Sequence, residues 1–437
     1  MAEHNVSQTR LYEWLTGDDD SRMCDDIPES ACDEQPRNFF LHIWASLGNK
    51  LADELSSARL VLPWLMGIIG APIWMVGLLV PIRESGALLP QIFVAGFIRL
   101  KPKRKWVWVV GALTQAFAAL TLAVLALFAT GTLGGALVLT ALVLLSLARG
   151  LSSIATKDVL GKTIAKRRRG TLMGWSGSIA GGATLVAGTL LMLFESRPGH
   201  LVVAILLAIA ACGWLINAIA AARIKEAPGA VEGGENGWDS IKQGLSLLKD
   251  DRTFLHFNLA RALLLSSALA LPYIALLGQN QSGTDLGGLG ILIVMSGLAA
   301  MVASPVWGKR ADQSSRGVMR DAAIGTAICC IMGASLAWLP GEWTHSIWPY
   351  AAVYALLVIV HHGVRLGRKT YLVDMASQDN RALYVALSNT LTGVLMLIVG
   401  GLIGAFAQWF GSGTLFLMLA ATAVGAILST HQLPEVE

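Results

Sequence analysis

The chain has 437 residues, 54% hydrophobic and only 14% charged, with a mean hydropathy of +0.59. Soluble domains run near 25% charged and transmembrane β-barrels show alternating segments of about 10 residues, so this composition excludes both and points to an all-α membrane protein. The net charge of +4 hides a split: residues 1–40 hold ten acids and three bases and carry −7, leaving +11 on the rest.

The acidic segment, residues 1–42, has no basic n-region followed by a short apolar core, so it does not read as a signal peptide. An acidic tail on a basic membrane body is not a nucleic-acid signature. It reads as a cytosolic segment that stays solvated or docks onto basic loops. Cys24 and Cys32 lie in this tail at a spacing that fits no zinc pattern, and a disulfide framework is not expected on a cytosolic side. No metal and no cofactor are implied.

Twelve apolar runs follow, at about 46–70, 73–98, 106–128, 134–157, 171–194, 200–222, 254–278, 286–307, 318–339, 346–367, 384–408 and 412–429. Each approaches the roughly 20 residues that a helix needs to cross a bilayer. The strictly apolar part of span 1, Leu60–Gly70, is too short, which predicts that Asn49, Lys50, Asp53, Glu54 and Arg59 share its helix. Basic residues collect after the even-numbered spans: Arg99 to Lys105, Lys162 to Arg169, and Lys309 to Arg320. The positive-inside rule then places both termini in the cytosol. Residues 43–222 form an N-terminal six-helix bundle and residues 254–430 a C-terminal one. The linker between them, 223–253, is rich in Gly, Glu and Pro and turns amphipathic over Trp238–Leu248, which predicts an interfacial helix.

The two halves look like repeats. Asn49 to Pro63 resembles Asn258 to Pro272, and Lys157 and Arg169 match Lys369 and Arg381 at one offset. Paired six-span repeats are typical of transporters whose substrate site lies between the halves near the membrane midplane.

Residues 308–316 read Gly-Lys-Arg-Ala-Asp-Gln-Ser-Ser-Arg. This resembles the loop motif Gly-x-x-x-Asp-Arg-x-Gly-Arg of the major facilitator superfamily, with Gly308, Asp312 and Arg316 in register. The loop that begins at Gly96 keeps the glycine and the basic run but lacks the aspartate. Arg169-Gly170 with Gly174 resembles the family's opening of span 5, and Arg149 its span-4 arginine. The resemblance implies twelve transmembrane helices in two six-helix pseudo-repeats and a secondary transporter working by alternating access. It also implies a cytoplasmic gate at Gly308, Asp312 and Arg316.

Charges inside the spans are costly and usually face a bundle interior or a wet cavity. Span 1 carries Asp53, Glu54 and Arg59; an internal neutralising contact of Arg59 with Asp53 or Glu54 is the alternative to a substrate role for them. Span 2 carries Arg83 and Glu84, which point about 100° apart on a helix and so cannot face one partner squarely; Arg83 is expected in the cavity. Span 4 presents Ser146, Arg149, Ser153 and Thr156 on one face. In span 10, His361 and Arg365 share a face, while Arg368 and Lys369 read as interfacial anchors. Arg261 lies near the cytosolic end of span 7 and reads as topological. Ser388, Asn389 and Thr392 on span 11 read as cavity hydrogen-bonders.

The expected substrate contacts are Arg83, Arg59, Arg149 and Asn389, suited to an anionic or zwitterionic solute. The expected proton-coupling groups are Asp53, Glu54, Glu84, His361 and His362, because burial and neighbouring charges shift carboxylates and histidine titrates near neutral pH. Neither a Walker loop nor a hydrolase or metalloprotease motif is present, so an enzyme is not expected. The predicted partners are a small solute, protons and the lipid bilayer of a bacterial inner membrane, with the protein a monomer and no nucleic acid bound. The alternatives are a multidrug or metabolite efflux pump, and a non-transporting receptor or assembly factor of the same fold.

Overall fold

A computed structural model describes residues 12, 27, 29–89, 98, 100–192, 199–229, 251–282, 286–339, 341–376 and 381–436. All regular structure among them is helical. A single turn, Glu29–Cys32, precedes α1 (Gln35–Leu55), α2 (Val61–Ile68) and α3 (Ile73–Leu88). Then come α4 (Lys105–Phe128), α5 (Gly131–Thr163), α6 (Lys166–Met192) and α7 (Gly199–Arg223). The later chain forms α8 (Arg252–Leu263), α9 (Ser266–Ser282), α10 (Leu286–Ala311), α11 (Ser315–Trp338), α12 (Trp348–Met375) and α13 (Arg381–His431). Trp238–Leu248 and Gly96 lie outside the described residues.

Among the described residues, nine helices are long and apolar enough to cross a membrane. The expected twelve exceed this number by three spans, each for a visible reason. Leu55 and Val61 bound a break that splits the first span into α1 and α2, and α3 is described only to Leu88. In addition α13 runs for 51 residues with Gly411 inside it at φ 78°. At about 1.5 Å per residue, so long a helix exceeds a hydrocarbon core of about 30 Å more than twofold, and the glycine turn divides it.

The outer surface is apolar, as lipid contact requires. On α4, Val110, Leu113, Phe117, Leu120, Val124 and Phe128 are all exposed and recur every three or four residues. Toward the interior the same helix presents Gly111, Ala112, Ala116 and Ala119, small residues that allow close helix packing where no hydrophobic force drives association. α1 and α7 approach most closely at Gly48, where an added Cβ would stand 2.3 Å from the Gly213 carbonyl oxygen.

In the first half, α7 packs on α1 and α4, α4 on α5, α5 on α3 and α1 on α6; in the second, α11 packs on α12 and α13, α12 on α9 and α10, and α8 on α13. Two seams join the halves, α3 against α13 and α6 against α10, with α9 reaching α2 and α3. The α3–α13 seam continues to mid-helix, where Ser85 Oγ donates to the Gly393 carbonyl at 2.7 Å, and several close contacts gather at one end. Gly77 meets Gly400 and Gly404, Gly188 meets Gly290, and Gln279 Nε2 donates to the Trp64 carbonyl at 2.9 Å. That end is opposite the basic connections.

At the basic end each half is fastened by the segment after its last helix. Glu226 accepts from the backbone N–H groups of Arg104 at 3.0 Å and Lys105 at 2.8 Å, and from Lys162 Nζ at 3.1 Å. Arg104 also pairs with Asp158. In the second half, Arg316 pairs with Glu435 at 2.6 Å and donates to the Leu433 carbonyl at 2.7 Å.

Two tail residues are docked at this end as well. Tyr12 is buried with Phe39, Ile43, Ile164 and Leu172, its ring edge-on to Phe39 at 5.2 Å. Ile27 packs with Ala31 and Ala165. Burial pushes the Tyr12 phenol above its ordinary pKa, partly offset by the Arg168 charge. The helix already begins at Gln35, inside the segment read as tail, because Asn38, Phe39 and His42 are buried there. Cys32 is disulfide-bonded, whereas Cys212, Cys329 and Cys330 are free. This corrects the expectation of unpaired tail thiols, which rested on compartment chemistry and not on local geometry.

A charged cavity between the two halves

The break after α1 builds the centre of the molecule. Ser56 Oγ donates back to the Ala52 carbonyl at 2.8 Å, a side-chain bond that competes with the helix ladder and bends helices. The chain then turns, with Leu62 N donating to the Ser57 carbonyl at 2.9 Å. Asp53 and Glu54 are therefore on the last turn of α1, and Arg59 stands in the break. This corrects the expectation that all three share a helix. Arg59 and Asp53 each pair with residues on other helices and not with each other.

Asp53 Oδ1 accepts from Arg149 Nη1 on α5 at 2.5 Å and from Arg83 Nη2 on α3. Asn49 Nδ2 supports the same carboxylate at 3.4 Å. Arg59 Nη2 donates to Glu84 Oε1 at 2.7 Å. Adjacent residues Arg83 and Glu84 thus serve different partners, as their angular separation requires. Arg83 is buried, with Nη1 unpartnered, while the Glu84 side chain keeps 38% of its surface.

The second half supplies the opposite wall. Arg261 on α8 is buried and donates from Nη1 to Ser388 Oγ at 2.6 Å and from Nη2 to Asn389 Oδ1 at 2.9 Å. Ser388 Oγ in turn donates to Asn258 Oδ1 at 2.7 Å. His361 Nδ1 lies 3.0 Å from Ser267 Oγ, and its Nε2 has no partner. Arg368 is within electrostatic reach of Glu84, Arg59 and Arg261. Glu54 and Arg365 act on each other across the gap. Both are exposed to solvent although protein surrounds each on nearly every side. Side chains that are at once enclosed and wet line a cavity.

The structure thus gathers Asp53, Glu54, Arg59, Arg83, Glu84, Arg149, His361, His362 and Asn389 around one region. Sequence reasoning missed two members. Arg261 is not a topological charge but a buried, hydrogen-bonded one, and Arg368 faces the charged centre instead of the membrane interface. A signal for Arg261 existed in Asn258, one turn before it on the same face. The loop residues Gly308, Asp312 and Arg316 lie elsewhere, at the basic end. Asp312 is exposed and has no ion pair among the described residues, and Arg316 is held by Glu435. Among the described residues no group of His, Cys, Asp or Glu could hold a metal ion.

No family model matches the sequence. Uncharacterized proteins of Mycobacterium bovis and Mycobacterium tuberculosis are 23% identical over 416 residues, covering 91% of this chain and 78% of theirs. Among solved structures, the nucleoside transporter NupG (a D323A mutant) superposes with a TM-score of 0.69 at 13% identity, over 90% of this chain and 99% of that one. A D-xylose-proton symporter gives 0.69 at 12% identity, over 91% and 98%. The xylose transporter XylE of E. coli, in an inward-open conformation, gives 0.68 at 10% identity, over 92% and 97%. The chain has the fold of major facilitator superfamily transporters, and it is an integral membrane protein.

Proposed function

We propose that this protein is a secondary active transporter that moves a small anionic or zwitterionic solute by alternating access. One observation carries the reading: a charged, wet cavity lies between two helical halves that are held together by close-packed glycine seams. Enclosed charges are costly in a membrane and mark substrate and proton paths. Twelve crossings follow if the broken first span, α3 and the two arms of α13 are each counted. The halves then comprise residues 43–222 and 254–430, joined by a cytosolic linker at 223–253.

With basic loops in the cytosol, the cavity opens inward in this conformation. Arg59, Arg149 and Asn389 border it and are the proposed substrate contacts, with Arg83 holding Asp53 behind them. Glu54 and Glu84 are the proposed proton-coupling acids, with Asp53, His361 and His362 as their electrostatic neighbours. Gly308, Asp312 and Arg316 are the proposed gate, closing when the basic ends meet. We assign the protein to a bacterial inner membrane as a monomer, with protons as the coupling ion and no enzymatic activity.

The test is solute flux into proteoliposomes with and without a pH gradient. Accumulation that collapses with the gradient supports the reading. An absence of flux for anions, zwitterions and amphipathic compounds alike overturns it and leaves the receptor alternative.

A further inference from the structure

The two halves treat the same positions differently. The offset of 209 residues that carries Asn49 onto Asn258 carries Asp53 onto Ala262. The offset of 212 that carries Lys157 onto Lys369 carries Arg149 onto His361, Ser153 onto Arg365 and Thr156 onto Arg368. In the first half the span-1 carboxylate joins two arginines. In the second half the carboxylate is gone and the arginines have multiplied.

No acid occurs in α8, α9, α10 or α13. The two in α11 and α12 are Asp321, paired with Arg310 and Arg320, and Asp374, exposed in the last turn of α12. Arg261, Arg365 and Arg368 have no ion pair among the described residues. The charge of Arg368 acts unfavourably on Arg261, and Arg365 and Arg59 act unfavourably on Arg368; the favourable charges on Arg365 and Arg368 come from Glu84 and, for Arg365, also Glu54 on the first-half wall, not from an acid of their own half. Arg261 Nε and His361 Nε2 are buried without hydrogen-bond partners. Buried polar groups ordinarily find partners, and a cluster of guanidinium groups offers paired donors in the geometry that an oxyanion accepts.

We infer that Arg365 and Arg368 form an oxyanion site on the second-half wall, where the carboxylate or phosphate of the solute takes the place that Asp53 fills in the first half. Arg261 acts as a positioning residue: bound to Ser388 and Asn389, it adds positive potential beneath Arg368 without itself reaching the cavity. This inference rests on the transporter reading and narrows it to solutes with an acid group directed at α12.

The experiment uses the full chain purified in detergent and reads ligand-induced thermal stabilisation, which follows RT ln(1 + [L]/Kd). The probes are inorganic phosphate and succinate, with glucose as the neutral control. At least one oxyanion is expected to stabilise the protein and glucose is not. Arg365→Gln and Arg368→Gln should each weaken the apparent affinity by about ten- to hundredfold, the range for lost charged hydrogen bonds. Arg365→Lys, which keeps the charge but loses the fork, should weaken it less and guards against a misfolded glutamine variant. Arg252→Gln, an exposed charge at the start of α8, should bind like the parent. Response to phosphate alone assigns phosphorylated solutes, and response to succinate alone assigns carboxylates. The inference fails if neither oxyanion stabilises the protein, if glucose does so equally, or if both glutamine variants keep the parent affinity. Flux of a neutral solute that is untouched by Arg365→Gln would sink it together with the anionic substrate class, while leaving alternating-access transport itself intact.

Discussion

Arg149 on α5 donates to Asp53 on α1 at 2.5 Å, and that carboxylate oxygen also accepts from Arg83 on α3. One oxygen therefore ties three helices together. Replacing Asp53 with alanine leaves Arg83 buried beside Arg149 without its ion-pair partner, Glu84 being the remaining favourable charge. The expected cost is about 3 kcal/mol, at the lower end for breaking a buried pair, because Arg149 stays partly solvated. Thermal unfolding should show this loss for Asp53→Ala. The double variant Asp53→Asn with Arg83→Gln should recover part of it, since neighbouring sites are not additive. Equal loss in both would mean that the ion pair is not what matters.

Glu54 lines the cavity without an ion pair among the described residues, whereas Glu84 is held by Arg59. A carboxylate that is free to bind and release a proton is the better coupling group. Glu54→Gln should abolish the dependence of flux on the pH gradient while permitting exchange down a solute gradient. Flux that remains fully gradient-driven in this variant would move the coupling role to another acid.

The seam between α3 and α13 depends on missing side chains. A Cβ at Gly404 would stand 2.3 Å from the Trp74 carbonyl oxygen, and one at Gly400 would stand 2.1 Å from Pro81 Cγ. Gly404→Ala meets rigid backbone, so the seam must part. We expect a loss of about 1–3 kcal/mol, as for other overpacked contacts, and greater labelling of single cysteines placed at the closed end. Gly401→Ala, where the nearest atom is 3.8 Å away, should be silent in both measurements.

The two fastenings at the basic end should differ in strength. The Glu226 side chain is fully buried on three donors, whereas the Glu435 side chain keeps 48% of its surface. Glu226→Ala strands the backbone N–H groups of Arg104 and Lys105, while Lys162 keeps Asp158 at 2.7 Å, so about 2 kcal/mol is expected. Glu435→Ala removes a solvated pair worth less than about 1 kcal/mol. Denaturation of the paired variants in one detergent provides the comparison.

Much of the fold was legible because lipid imposes long apolar runs and basic loops mark their ends. Arg149 was readable as a bundle residue because Ser146 and Ser153 continue its polar face. Arg261 and Arg368 were misjudged because hydropathy reports where a span ends but not whether a terminal charge turns inward. That depends on which neighbour stands opposite, and Ser388 and Glu84 are remote in sequence. The break at Ser56–Leu60 was equally hidden, since a serine pair in a helix usually signals nothing more than a weak propensity. The net excess of arginine was visible, but its segregation to one wall required the fold.

Gly411 joins the two arms of α13 with no loop between them. Beyond it, Leu415, Phe416, Leu419, Ala423 and Ala426 point inward, while Leu417, Val424 and Leu428 point outward. A single-residue turn transmits rotation directly, so the register of the last helix is set by the residue count at this joint. One inserted residue would swing the final arm by about 100° and present its packed face to lipid. The joint thus tolerates changes of side chain only within limits, and changes of length hardly at all.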